Sequence, residues 1–456
     1  MTLELSDRFP KYTDFAPAAP VWCVTPRTGR TINRFFDRSP FSPSGRYLAV
    51  TRLPCEDRCP IPGEPAEVVL IDLQSGEERI VAETRGWDTQ LGAQVQWGAN
   101  DAQLFFNDVD TADWRPFGVV LDPLTGVRRR LDGTVYDVSP DGRWAVSPCL
   151  RRTAATQSGY GVLVPNDRIP INRGAADDDG IYLTNIKTGR CNLIVSWQQI
   201  VASIQPPLDS RRYVHGDFYG FHVKWNPQGD RLMLVLRWVR GLRQPGRFQK
   251  MKKHLVTLRA DGSDIRQAIT AEQWGRGGNH PNWCPDGEHI LMNLNVPLPG
   301  RRCPRLRRHV GEAMSRIGLP PIAPGYQYRF VKVRFDGTDL QVASPLAQAS
   351  GHPTLHANQR HILTDAYPQE PVSFGDGTVP IRLIDTKTDR ETTLVRIHAQ
   401  PAFRGRRNEL RVDPHPAWDS TFRYIAFNAC PDSTRRVYVA DLQDAVRGVA
   451  VSRAAA

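Results

Sequence analysis

No stretch of this 456-residue chain approaches the roughly 18 consecutive apolar residues that a membrane-spanning helix needs. The start, Met1-Thr-Leu-Glu-Leu-Ser-Asp-Arg8, has no charged segment leading into an apolar run and so lacks the pattern of a secretory leader. A soluble, cytoplasmic protein with no membrane partner is the expectation. The 8 cysteines are scattered, and Cys55-x3-Cys59 has no second pair at metal-ligand spacing, which excludes a cysteine zinc site and leaves free thiols. No nucleic-acid-binding motif is present, and no break in composition marks a second domain. The 11 histidines all lie from His215 onward.

Four of those histidines stand three residues ahead of a tryptophan or leucine: His222-Val-Lys-Trp225, His280-Pro-Asn-Trp283, His352-Pro-Thr-Leu355 and His415-Pro-Ala-Trp418. Each is followed by a turn and an apolar strand. Three further segments fit the same register, with Phe41, Trp97 and Val138 ahead of Ser-Pro-Ser-Gly45, Gly-Ala-Asn-Asp101 and Ser-Pro-Asp-Gly142. The second half of each unit is a strand, a tight turn and a strand, as in Val68 to Leu73 with Ser75-Gly76, or Leu255 to Arg259 with Asp261-Gly262. Two hairpins per unit, repeated at a period of about 40 residues or more, make the blades of a β-propeller.

The expected fold is therefore all-β: a single-domain, seven-bladed β-propeller of four-stranded antiparallel blades spanning residues 1–456. The blades fall near 33–80, 90–131, 133–196, 220–269, 278–344, 350–397 and 411–443. The last unit is one strand short, and a strand near Val21 to Thr25 would complete it. A propeller-capped serine peptidase fails on length and on the absence of Gly-x-Ser-x-Gly. The 37 prolines and 36 glycines suit so turn-rich a body.

The long links join second to third strands, as at Leu53 to Ala66, Pro148 to Gly180, Trp238 to Lys253, Pro297 to Gln327 and Ala366 to Val379. They emerge on the face where the innermost strands begin, which is where the histidines sit. That face is basic: Arg237, Arg240, Arg243, Arg247 and Lys250 come from one link, and Arg301, Arg302, Arg305, Arg307 and Arg308 from the next. With a formal net charge of +11, anions are the expected partners, and a walled pocket favours a small one over nucleic acid.

A lone histidine at a strand start is usually a hydrogen-bonded core residue. Four in register on consecutive blades converge on the propeller axis, close enough to share an ion, and neutral imidazole suits zinc, manganese, iron, copper or nickel. His280, His352, His415 and His222 are the candidate ligands, and Gln94 holds the same register in blade two as a further ligand or hydrogen-bond partner. Divalent manganese or zinc is the expected cofactor. The bland reading is a hydrogen-bonded histidine cluster around water. Trp225, Trp283 and Trp418 read as blade-packing residues.

The segment Arg411-Val-Asp-Pro-His-Pro-Ala-Trp418, followed by Tyr424 to Asn428 and Arg436-Val-Tyr-Val-Ala-Asp-Leu442, resembles the metal-site blade of the oligogalacturonate lyases. Ser350-Gly-His-Pro-Thr354 with Ile362-Leu-Thr-Asp-Ala-Tyr367, and the blades at His222 and His280, also resemble seven-bladed polysaccharide lyases of the ulvan lyase type. The resemblance runs over roughly residues 30–445 and is strongest in the last four blades. It implies central histidines that hold a divalent metal, and β-elimination of an acidic sugar. By position His352 and His415 match the family's ligands best, while His280 and His222 fall where such enzymes place another ligand or a catalytic histidine. The chain departs from the pattern at Asp413, where the oligogalacturonate lyases carry a histidine, and in having no histidine in its early blades.

Elimination across C4 and C5 of a uronate needs a cation against the carboxylate, a base for the C5 proton and assistance to the leaving oxygen. The candidates are His280, His352 and His415 for the metal, Arg237 or Arg212 for charge neutralisation, and His222, Tyr219 or Tyr213 for the base. Tyr219, in Tyr-Gly-Phe-His222, reads more readily as an aromatic packing residue than as a base. The expected substrate is a short acidic oligosaccharide. The rival expectation is a non-catalytic binding propeller whose metal or histidine cluster is structural.

Overall fold

A computed structural model describes residues 4–242, 250–298 and 325–448. Arg243, Arg247, Arg301, Arg302, Arg305, Arg307 and Arg308 lie outside these residues. Seven four-stranded antiparallel sheets follow one another along the chain. The strands that begin each sheet nearest the axis are Thr31–Ile32, Gln96–Trp97, Asp137–Val138, Asp217–Trp225, Gly278–Trp283, Thr354–Leu355 and Ala417–Trp418. The protein is a seven-bladed β-propeller.

Local chemistry sets the hairpins. In Ser139-Pro-Asp-Gly142 the chain turns through Gly142 at φ 67°, where a side chain is disfavoured, and the Gly142 N–H donates to the Ser139 carbonyl at 2.9 Å. Cys284-Pro-Asp-Gly287 repeats the arrangement at φ 67° and 2.9 Å. Ring closure uses the N-terminal strand Val21–Cys23, which pairs with Arg436–Asp441 as the fourth strand of blade seven (Val21 opposite Ala440). This closure holds the two ends of the chain together in one blade.

Three of the four column tryptophans tie their blade to the one before it. The indole N–H of Trp97 donates to the Pro40 carbonyl at 2.9 Å, Trp283 to the Lys224 carbonyl at 3.3 Å, and Trp418 to Thr354 Oγ1 at 3.1 Å. All are buried, as are the apolar faces that neighbouring blades press together.

Blade one departs from the pattern, and this shapes the site. Thr31–Ile32 pairs with Arg52 and Thr51, while Phe41 pairs with Leu48 in an isolated bridge. Between them residues 33–40 leave the sheet and enter the axis, since they touch inner strands right round the ring. Arg34 donates to the Tyr136 carbonyl and pairs with Asp37 at 3.2 Å; Asp37 pairs with Lys224 of blade four at 2.7 Å; Arg38 pairs with Asp137 of blade three; and the Asn33 amide donates to the His415 carbonyl of blade seven at 3.1 Å. Phe35 and Phe36, 1% and 2% exposed, fill the space between these anchors. Among the described residues no helix is long and apolar enough to cross a membrane.

Candidate metal centre

The axial residues are delivered by an unusual backbone. Gln94, His222, His280 and His415 have φ of 57°, 53°, 54° and 49°, a left-handed conformation that non-glycine residues seldom adopt. In blades four and five the strand register shifts at this point, between Phe221 and Lys224 and between Asn279 and Asn282. The bulge turns one side chain out of the pleat. Blade six achieves the turn one residue earlier, at Gly351 (φ 62°), where a Cβ would meet Asp365 Oδ1 at 2.2 Å. Strain repeated at one position of four blades marks a site held by its surroundings.

Three blades converge there. The His280 and His352 ring centroids lie 4.0 Å apart, and those of His352 and His415 4.3 Å apart. One ligand atom each from His352, Asp413 and His415 falls within 4.8 Å of the others, all three residues being buried. Asp413 thus places a carboxylate in the cluster, held by Arg411 Nε at 2.9 Å; Arg411 also donates to Tyr160 Oη at 3.0 Å.

Hydrogen bonds fix the rings. His352 Nδ1 lies 3.0 Å from both oxygens of Asp365, which also accepts the backbone N–H groups of His352 (2.6 Å) and His415 (3.2 Å). His280 Nδ1 donates to the Gly351 carbonyl at 2.6 Å. Both rings therefore present Nε2 inward, where Tyr367 Oη stands 3.1 Å from that of His280 and 3.3 Å from that of His352. Neither nitrogen of His415 has a hydrogen-bond partner, and the ring is 1% exposed. A carboxylate behind one imidazole, a bare imidazole beside it and a buried carboxylate fit manganese or zinc by donor type and by support of the ligands.

Burial drives the electrostatics. It pushes His352 down to about 3 and holds His222, His280 and His415 well below the usual imidazole value, with neighbouring histidines, Arg411 and Lys224 adding to the effect. All four are neutral near pH 7, the form that binds metal or accepts a proton. Burial raises Asp365 to about 6 against the backbone donors that oppose it.

The remaining expected residues divide. His222 stands apart from the compact group: its Nδ1 is paired with Tyr136 Oη, and its ring stacks on Phe35 at 5.0 Å. Phe35 also meets His415 at 4.5 Å and His352 at 5.6 Å. Arg237 is buried with its carbon 3.5 Å from the Phe221 centroid and long contacts of 3.4 and 3.5 Å to Thr156; among the described residues it has no carboxylate partner, and its Nε has no partner at all. Gln94 is buried with both amide atoms unpartnered. Tyr219 is fully buried and accepts the Asn172 backbone N–H at 3.1 Å, a packing arrangement. Tyr213 bonds His254 Nε2 at 2.9 Å, and Arg212 is exposed, paired with Glu272 and Asp209. These last three contact none of the four axial histidines. Asp365, Tyr367, Tyr136, Tyr160, Arg411 and the Phe35–Phe36 pair were not singled out from sequence; the first two stand in the Ile362-Leu-Thr-Asp-Ala-Tyr367 segment, and Arg411 is two residues ahead of Asp413.

The class defined by this geometry is a propeller with a buried histidine and carboxylate cluster on its axis. No family model matches the chain, and no curated protein matches it. Among solved structures it is similar to an oligogalacturonate lyase in complex with manganese, with a TM-score of 0.62 and 16% identity over 96% of this chain and 97% of the other. It is similar also to an oligogalacturonate lyase from Vibrio parahaemolyticus, with a TM-score of 0.60 and 13% identity over 96% and 97%. At these identities the shared feature is the fold: the chain has the seven-bladed architecture of the oligogalacturonate lyases from end to end.

Proposed function

We propose that this protein is a metal-dependent carbon–oxygen lyase that cleaves uronate-containing oligosaccharides by β-elimination at the propeller axis. The observation that carries the reading is the gathering of His352, Asp413 and His415, one ligand atom of each within 4.8 Å of the others, together with Arg237, a buried cation that has no carboxylate partner among the described residues. A buried charge without a partner is costly unless a ligand supplies one, and a uronate carboxylate is such a ligand.

When bound at His352, Asp413 and His415, with His280 alongside, a divalent manganese or zinc ion would supply positive charge against the substrate carboxylate and so acidify the C5 proton. Arg237 would neutralise the same carboxylate. His222 is neutral, and with its Nδ1 donating to Tyr136 Oη its Nε2 is free to take the proton from C5. The electron pair of the C5–H bond forms the C4–C5 double bond, the C4–O bond breaks, and the leaving oxygen departs with the released sugar and acquires a proton. Tyr219 and Arg212 have less support in these roles, given their partners. A soluble, cytoplasmic enzyme without nucleic-acid or membrane partners suits a substrate of this size.

The second reading, a binding module with a structural metal or histidine cluster, is favoured by burial: His352 is 0% exposed and Phe35 packs against three of the rings. Incubation with pectic, ulvan and glucuronan fragments in the presence of manganese or zinc, read by ultraviolet absorbance of an unsaturated uronyl end, separates the two. No absorbance with stoichiometric metal bound would leave the module reading in place.

A further inference from the structure

A cleft of 540 Å³ opens beside the axis between blades four and five, lined by Lys252, Lys253, Trp274, Arg276, Asn295 and Tyr326 with neighbouring backbone. Its volume suits a small ligand of one or a few rings. Three cations and two aromatic rings line it, and no carboxylate does. Lys253 is half-buried with no ion pair among the described residues, and its charge has only the face of Trp274 at 5.8 Å. The Arg276 Nε is buried without a hydrogen-bond partner, its guanidinium 5.6 Å from the Tyr326 centroid. Burial pushes Lys253 down to about 8, with Arg237 nearby adding to it. Glu272, the nearest acid along this segment, is already engaged by Arg212.

The strands that line the cleft also carry residues of the axial site. Lys253 is the cross-strand partner of Arg237, and Gly278, in the lining, lies two residues ahead of His280 on one strand. Its floor is fixed: the Trp274 indole donates to the Gly278 carbonyl at 2.7 Å, and the Asn295 amide to the Arg276 carbonyl at 2.8 Å. Like charges gathered without a counter-ion repel, and an anion relieves them. Aromatic faces beside the charges suit a ring that carries one.

We infer that this cleft is a second carboxylate-binding subsite that takes the sugar ring next to the one held on the axis, with Lys253 and Arg276 on its carboxylate and Trp274 or Tyr326 against its face. The inference rests on the uronate reading above for the identity of the axial ring. It makes chain length, not only sugar type, a determinant of binding.

The test uses calorimetric titration of galacturonate, trigalacturonate, galactose and inorganic phosphate into wild-type protein, K253M/R276M and the charge-keeping K253R, with elimination kinetics in parallel. Trigalacturonate should bind the double variant at least tenfold more weakly than wild type, with KM raised likewise, kcat within twofold, and K253R close to wild type. Tighter binding of trigalacturonate than galacturonate should vanish in the double variant. That loss would support the subsite even if no protein eliminated, in which case only the lyase reading would fall. Equal affinity of wild type and double variant for trigalacturonate, galactose binding as well as galacturonate, or phosphate binding without uronate binding would each overturn it. Circular dichroism of the variants guards against misfolding, and R276Q alone should show a smaller loss in the same direction.

Discussion

Replacing Arg237 by methionine should make the protein more stable and its ligand binding worse. Burial lowers Arg237 from 12.5 to about 9, and Tyr160 and Tyr136 only partly oppose this. At about 1.4 kcal/mol per unit, holding the charge costs up to about 5 kcal/mol. Stacking on Phe221 returns about 1–2 kcal/mol, and the 3.4–3.5 Å contacts to Thr156 return little. Methionine fills a similar volume without the charge, so a net gain of about 1–3 kcal/mol is expected, in line with other buried charges replaced by apolar residues. Unfolding entropy of about 2 cal/mol/K per residue makes 1 kcal/mol worth about 1 °C in a chain of this length, so Tm should rise by about 1–3 °C. Scanning calorimetry without ligand measures the gain. Uronate titration should show at least a hundredfold loss of affinity, the size expected for a buried charge left unpaired. A variant destabilised by more than about 1 kcal/mol would refute the reasoning, because Arg237 would then be a structural cation.

Three further predictions follow from neighbouring contacts. Asp365→Asn keeps the shape behind His352 but loses the carboxylate, and should weaken metal binding about 10–100-fold by competition with a chromogenic chelator; unchanged affinity would remove His352 from the ligand set. Phe35→Ala empties the space against His222, His352 and His415 and should cost about 3–5 kcal/mol in denaturant unfolding, with added loss of metal affinity as the rings relax. Burial lowers His254, which is hydrogen-bonded to Tyr213 and Gln267, from 6.5 to about 4. The unfolded chain therefore binds its proton first, so the stability it confers is present above about pH 6.5 and is lost as pH falls towards 4, up to about 3 kcal/mol. His254→Gln should flatten the fall of Tm between those pH values; an unaltered slope would show that His254 is not the group responsible.

How far the sequence reaches depends on where each residue's partners lie. The blades were legible because their signals are local: Gly142 and Gly287 sit in four-residue turns, and the closing strand at Val21 is called for by a last unit one strand short. The axial column was legible because a histidine three residues ahead of tryptophan or leucine recurs at His222, His280, His352 and His415. Residues 33–40 were not, since Thr31-Ile-Asn-Arg-Phe-Phe36 reads as the start of a strand. Its contacts to Tyr136 and His415 close across 102 and 382 residues. Arg212 and Arg237 looked alike in sequence. What distinguishes them is Glu272, 60 residues from Arg212, and the lack of such an acid beside Arg237 among the described residues.

The axial insertion bears on chemistry as well as packing. A propeller leaves a channel on its axis, and here Phe35 and Phe36 close it beneath the histidines, excluding water from their inner side. Low dielectric strengthens every charge that remains. Those charges are unequal. Arg34 and Lys224 share the carboxylate of Asp37, Arg411 is matched by Asp413, and Arg237 has no carboxylate partner among the described residues. Lys224 is among the groups that keep His222 neutral. Asp365 adds a carboxylate behind His352, so the cation of this group left without an acid among the described residues is Arg237. A buried cation without an acid gains more from an anionic ligand than from a neutral one, so Arg237 is the residue at which the carboxylate of the proposed substrate would gain most.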